Sequence, residues 1–188
     1  MGFRSNRCTI DHIFIIRQIF EKSHEYNIDL YNIFVDYTHD FYSVYRNKLI
    51  ECLKVFDVPD KLIRLIALTL IQTRARGKMN RDFTEEFIVE CGVKQGDPLS
   101  AILFSLVIDK LLKKMELRGN ITTQLKKYTA HTDDILLTTR TKQSLVDTFQ
   151  KLKEISAQYG LIVNGKKNTL NVRGKIITYK NYKLTRCT

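Results

Sequence analysis

The sequence predicts an α+β fold, a mainly antiparallel sheet backed by helices, and three observations carry that expectation. Short strand-like runs flank polar links near residues 80–82 and 130–134, the way β-hairpins read in a sequence. Several longer segments repeat apolar residues at helical spacing. One further segment, residues 99–108, is apolar nearly all round and suits a helix buried behind a sheet.

Along the chain, Thr9 to about Tyr26 reads as a helix, with Ile10, Ile13, Phe14 and Phe20 near one face and Thr9 as its cap. A strand follows over residues 30–36. Arg46 to Phe56 carries Leu49, Ile50, Leu53, Val55 and Phe56 on a helix that stops near Asp57. Pro59 suits the first turn of another helix, Asp60 to about Gln72. Arg76 to Glu90 reads as a hairpin turning at Asn80-Arg81-Asp82. Pro98 opens the buried helix, which runs to about Leu117. Gln124 to Thr129 and Ile135 to Thr139 form the second hairpin. Thr141 to Tyr159 is amphipathic through Leu145, Val146, Phe149, Leu152 and Ile155, and Gly160 stops it. A last hairpin pairs about 161–164 with 168–179.

With 188 residues, 44% of them hydrophobic, the chain fits one domain able to bury a real core. Its charge is uneven: 31 Lys and Arg against 20 Asp and Glu give +11, and no acid follows Glu154. Lys166, Lys167, Arg173, Lys175, Lys180, Lys183 and Arg186 make the end of the chain basic, which suits phosphate backbones. Cys8, Cys52, Cys91 and Cys187 are too scattered for a disulfide framework or a zinc site. His12, His24, His39 and His131 show no ligand spacing either. The first apolar run is broken by Asp11, His12 and Arg17, and residues 62–71 are too short to span a bilayer. An intracellular protein of cytoplasm or nucleus, with no membrane partner, is expected.

The paired Asp133 and Asp134 lie between two strand-like runs. Adjacent carboxylates repel, and a cation between them relieves that repulsion. Taken alone, the pair is better explained as a solvated Asp-Asp turn. A third carboxylate, Asp36, ends the strand over residues 30–36. Three such groups together form an oxygen-rich site suited to Mg²⁺, which keeps waters and binds substrate phosphates. Two such ions, about 3.5–4 Å apart, serve in-line phosphoryl displacement. Periodicity alone does not bring Asp36 to Asp133.

A wider pattern does. Gly92-Val93-Lys94-Gln95-Gly96-Asp97-Pro98-Leu99-Ser100, running on to Asp109, resembles the third of the main sequence blocks of reverse transcriptases, most closely those of non-LTR (LINE-type) retrotransposons. Phe34-Val35-Asp36-Tyr37 with Phe41 and Val44 resembles the block of the first catalytic aspartate. Residues 130–137 resemble the block of the catalytic pair. Gly160-Leu161-Ile162-Val163-Asn164 with Lys166-Lys167 is similar to the lysine-bearing block, and residues 2–14 look like a segment ahead of the first aspartate. The blocks occur in the family's order over nearly the whole chain.

The resemblance implies a polymerase palm with partial fingers: residues 1–29 as a fingers-side helix and 30–188 as palm with finger insertions, thumb and endonuclease absent. It implies RNA-directed DNA polymerisation, with RNA template, DNA primer and dNTP as partners and missing fingers or thumb segments supplied by a larger polyprotein. Asp36, Asp133 and Asp134 would be catalytic and hold two Mg²⁺ ions, with Mn²⁺ as a substitute. Lys167 would give a proton to the leaving pyrophosphate. Gln95 and Gly96 would contact nucleotide and template, and Phe41 would lie beneath the sugar and select dNTPs. Spacing alone fits a helix-entry loop and a core aromatic as well.

Departures cluster at the chemistry. Asp40 stands where the family has a small residue beside the incoming triphosphate, and Tyr42 replaces a second acid. His131-Thr132 precedes the aspartate pair in place of Tyr-Ala, and Asn168 follows Lys167 where Thr is usual. Weak or absent polymerase activity is therefore expected of this chain. A catalytically inactive nucleic-acid-binding remnant and a pseudogene-like product stand as alternatives.

Overall fold

The computed structural model describes residues 9–71, 73–115, 128–131, 134–164, 169–172, 175–180 and 183–184. Helix α1 spans Thr9–Glu25. Thr9 is already helical, so the cap position falls on Cys8, outside the described residues. The strand expected over 30–36 is split at Asp36 into β1 (Tyr31–Val35) and β2 (Tyr37–Thr38). A four-residue helix, α2 (Asp40–Ser43), follows; it is too short for any periodicity to announce. Helices α3 (Arg46–Val55) and α4 (Asp60–Leu70) come where expected, with Pro59 as the cap of α4.

The first hairpin has two tiers. Strands β3 (Thr73–Ala75) and β6 (Phe87–Val89) pair at its base, β4 (Lys78–Met79) and β5 (Asp82–Phe83) at its tip. Asp82 belongs to β5, so the turn is Asn80-Arg81, with Asn80 in left-handed backbone (φ 55°) that Asn tolerates. Helix α5 (Pro98–Lys114) is capped by Asp97, whose Oδ1 accepts from the Leu99 N–H at 3.1 Å.

Strands β7 (Tyr128–His131) and β8 (Asp134–Thr139) form the second hairpin; the expected strand residues 124–127 lie outside the described residues. Helix α6 (Lys142–Gln158) follows its Thr141 cap and ends at Gly160. Gly160 has φ +84°, and a Cβ there would lie 2.2 Å from the Ser43 carbonyl oxygen, so only glycine fits that stop. The rest is β9 (Ile162–Val163), β10 (Thr169–Val172), β11 (Lys175–Lys180) and β12 (Lys183–Leu184).

The expected pairing of 161–164 with 168–179 is wrong in its first half. β9 pairs with β2, whereas β10 inserts between β1 and β11. The Asn164 N–H donates to the Asp36 carbonyl at 2.8 Å, which commits this segment to the chain beyond β1. The main sheet runs β12-β11-β10-β1-β8-β7, antiparallel throughout its described residues. Ile33, Val35, Ile135 and Leu137 share one face and join Phe104, Val107, Leu111, Leu152 and Ile155 from α5 and α6 in the core.

Helix α1 forms where the sequence places it. Its apolar residues recur as read, yet Ile10, Ile13 and Phe14 are 71%, 63% and 60% exposed, and the buried core contains no α1 residue among those described.

Candidate active site

Position in the sheet sets up the site. β1 lies between β10 and β8, and its register with β8 pairs Val35 with Ile135. Asp36 follows Val35 at the end of β1 and Asp134, the first residue of β8, precedes Ile135, so the two lie at the same end of the β1–β8 pair. By strand alternation Asp134 shares a face with Leu136 and its partner Phe34, opposite the helices. Asp36 is half-buried and Asp134 exposed.

The backbone around Asp36 is fixed from both sides. Asn164 donates its N–H to the Asp36 carbonyl and its Nδ2 to Asp36 Oδ2 at 3.1 Å. Next in the chain, Tyr37 is 3% exposed, and its hydroxyl meets Ser156 Oγ of α6 at 2.9 Å. Burial pushes the Tyr37 phenol pKa up; the Ser156 hydrogen bond opposes this and the Asp40 charge adds to it.

A second frame carries the loop ahead of α5. The Gly92 N–H donates to the Val44 carbonyl at 2.8 Å and the Val93 N–H to the Phe41 carbonyl at 2.6 Å. Gly92 has φ +82°, and a Cβ there would lie 2.4 Å from the Tyr42 carbonyl oxygen. Arg46 then ties three segments together. Its Nε donates to the Gly92 carbonyl at 2.8 Å, and its Nη1 donates to the carbonyls of Leu70 and Val89.

The structure thus leaves Asp36 and Asp134 at the same end of two paired strands, and it brings Phe41 to the base of the loop that carries Gln95 and Gly96. Phe41 is half-buried and stacked on Phe104, with ring centroids 4.7 Å apart, so it has a core partner whatever else it does. Gln95 and Gly96 are exposed in a turn, Gly96 at φ +92° with open space where a Cβ would be. Asp133 and Lys167 lie outside the described residues, as do Thr132 and Asn168. Asp40 opens α2, and its Oδ1 is shut off from solvent.

Among the described residues no three His, Cys, Asp or Glu converge. Asp36 and Asp134, at the same end of the β1–β8 pair, with Asp133 next in sequence, offer the oxygen donors that a hard divalent cation prefers, so the residue types fit such an ion. Sequence reasoning missed the roles of Asn164, Tyr37 with Ser156, and Arg46. Each acts on a partner far away in the chain, and nothing local marks it. No helix among the described residues is long and apolar enough to cross a membrane.

Comparison with known proteins bears on the family and the fold. The chain is 27% identical over 179 residues to the retrovirus-related Pol polyprotein from type-2 retrotransposable element R2DM of Drosophila melanogaster, covering 93% of this chain and 17% of that protein. It is 30% identical over 146 residues to the Pol polyprotein from type-1 retrotransposable element R2 of Bradysia coprophila, covering 74% of this chain and 16% of that one. The chain therefore spans about a sixth of the length of these relatives. In fold it is similar to the telomerase of Candida tropicalis in complex with a TWJ fragment of telomeric RNA (TM-score 0.72, 17% identity, 98% of this chain and 34% of that one). The Candida albicans telomerase is also similar (TM-score 0.68, 13% identity, 97% of this chain and 34% of that one). Residues 1–182 match the family described as reverse transcriptase (RNA-dependent DNA polymerase), a family that generally uses divalent metals. The chain belongs to that family, as a reverse transcriptase domain of the non-LTR retrotransposon kind.

Proposed function

We propose that this chain supplies the palm of a site for RNA-directed DNA synthesis, with Asp36, Asp133 and Asp134 as its cation ligands. The observation that carries the proposal is the register that ends with Val35 opposite Ile135, which leaves Asp36 and Asp134 as the next residues at one end of two adjacent central strands. In this reading α1 stands on the fingers side, and α3, α4 and the two-tier hairpin are finger insertions into the palm. RNA template, DNA primer and dNTP are the partners, and the rest of a longer polyprotein completes fingers and thumb.

Two divalent cations held there, Mg²⁺ or Mn²⁺, would promote attack by a primer 3′-hydroxyl and steady the leaving oxygen. The chain's own residues do the rest. Asp36 and Asp134 concentrate negative charge at one end of the β1–β8 pair. Phe41, held from below by Phe104, presents a rigid ring beneath the sugar. The loop of Gln95 and Gly96, anchored through Gly92 and Val93, lies open to template and nucleotide. Lys167 supplies a proton to the departing pyrophosphate. Catalysis of this kind rests on positioning and electrostatic stabilisation.

Asp40 favours a second reading, a nucleic-acid-binding protein with little or no catalysis. A half-buried carboxylate with one oxygen shut off from water, beside an anionic ligand, repels it with reduced screening.

Primer extension on an RNA template, combined with anisotropy on short RNA at rising salt, tests both. The first reading expects slow, Mn²⁺-stimulated incorporation that Asp36→Asn abolishes; incorporation unchanged by Asp36→Asn overturns it. The second expects salt-sensitive RNA binding without incorporation, following from the +11 charge. Binding that ignores salt, or none at low salt, overturns that one.

A further inference from the structure

We propose that Asn164 is a positioning residue for the cation site: its amide fixes the Asp36 carboxylate, and divalent-cation affinity depends on that bond. The inference rests on the reading of Asp36 and Asp134 as cation ligands.

Asn164 follows β9 directly and makes two bonds to one residue 128 positions earlier. The backbone bond, N–H to the Asp36 carbonyl, sets where the main chain leaves β1. The side-chain bond, Nδ2 to Oδ2 at 3.1 Å, sets how the carboxylate is turned. Turning a half-buried aspartate beyond the end of its strand at the moment of binding would cost affinity, and the Asn164 bond contributes to setting it beforehand.

The chemistry of the donor matters as well. A lysine or arginine at this place would also orient Asp36, but its charge would compete with the cation for the same carboxylate. A neutral amide donates a hydrogen bond and leaves the negative charge of Asp36 to the metal. Partners of this kind behind a metal ligand typically hold about 10–100-fold of the affinity.

Mn²⁺ titration followed by electron paramagnetic resonance, alongside thermal melts, tests the proposal on the full chain. Asn164→Ala and the near-isosteric Asn164→Leu both keep the backbone bond and remove the side-chain bond. Both should bind Mn²⁺ about tenfold more weakly than wild type. Asn164→Leu carries the test if Asn164→Ala fails to fold. Thr138→Val is the control for general loosening: it breaks the buried bond from Thr138 Oγ1 to Asn32 Oδ1, 2.8 Å long, on the same two strands. It should lower the melting temperature and leave Mn²⁺ affinity unchanged.

Wild-type affinity in the Asn164 variants, with Asp36→Asn weakened, overturns the role of Asn164 and leaves the carboxylate site standing. Equal weakening in Thr138→Val also overturns it, because the effect then belongs to the sheet at large. If Asp36→Asn itself binds Mn²⁺ like wild type, the carboxylate site fails and the proposal fails with it.

Discussion

Removing the guanidinium of Arg46 should loosen three segments at once. Its Nε holds the Gly92 carbonyl, and its Nη1 holds the carbonyls of Leu70 at the end of α4 and Val89 in β6, with Thr73 Oγ1 at 3.4 Å. Burial lowers the Arg46 pKa from its ordinary value, yet arginine keeps its charge in proteins, so these bonds are charge-assisted. Each such bond contributes about 1.5–3 kcal/mol, and bonds from one side chain do not add fully. Arg46→Met keeps the aliphatic stem and abandons every acceptor, so it should cost about 3–5 kcal/mol. Arg46→Lys retains charge, but a single nitrogen does not span the positions of Nε and Nη1. It should lose the equivalent of one bond, about 1.5–3 kcal/mol. Against a domain stability of about 5–15 kcal/mol either loss is large. Urea denaturation reads it as a lower midpoint at constant slope. Trypsin adds a local measure, since exposed Lys94 sits two residues past the Gly92 anchor and should be cut faster in Arg46→Met. A midpoint within about 0.5 kcal/mol of wild type, with unchanged cleavage at Lys94, would refute the clamp.

Gly160→Ala should destabilise by more than the ~1–2 kcal/mol of a left-handed backbone alone, because the new Cβ would press on the Ser43 carbonyl; a urea-melt loss below about 1 kcal/mol contradicts this. Tyr37 makes stability pH-dependent at the alkaline end. Its folded pKa is raised above the ordinary 10.0, so its contribution is complete below that value and is lost as pH rises beyond it. Buried Cys52, also raised from its ordinary 9.0, adds to the same decline, so Tyr37→Phe should flatten it in part. Melting curves that fall identically with alkali in wild type and Tyr37→Phe count against the assignment. Asp40→Ala should raise Mg-dNTP affinity and do so more than Tyr42→Asp, because two unit charges about 4 Å apart repel by at most ~4 kcal/mol at an effective dielectric near 20. Equal affinities by calorimetry in folded proteins would remove Asp40 from the nucleotide's path.

What the sequence made legible was whatever a local signal encodes. Helix α6 could be placed within a residue or two, because Leu145, Phe149, Leu152 and Ile155 recur at helical spacing between a Thr141 cap and Gly160. α5 announced itself through Pro98 and its apolar run. Partner choice was not local. Ile162 and Val163 are too few to carry a period, and their pairing with β2 rather than with the following strand shows only once Asn164 meets Asp36. Nor was exposure local: α1 has the spacing of a buried helix, but Ile10, Ile13 and Phe14 remain open. The same distinction separates the proposed ligands from the residues packed around them. Asp36 and Asp134 could be named in advance because residue type and block order point to them. Arg46, Tyr37 and Asn164 act through partners 24 to 128 residues away, and any of them could pass in sequence for a solvated or core side chain. The departures from the family's blocks separate in the same way. Tyr42 is 56% exposed on α2, where a side chain can change at small cost to the fold. Asp40 is built into the start of that helix, with Oδ1 sealed from solvent and its charge felt by Tyr37. Asp40 is therefore the substitution that ties the altered chemistry to the fold itself.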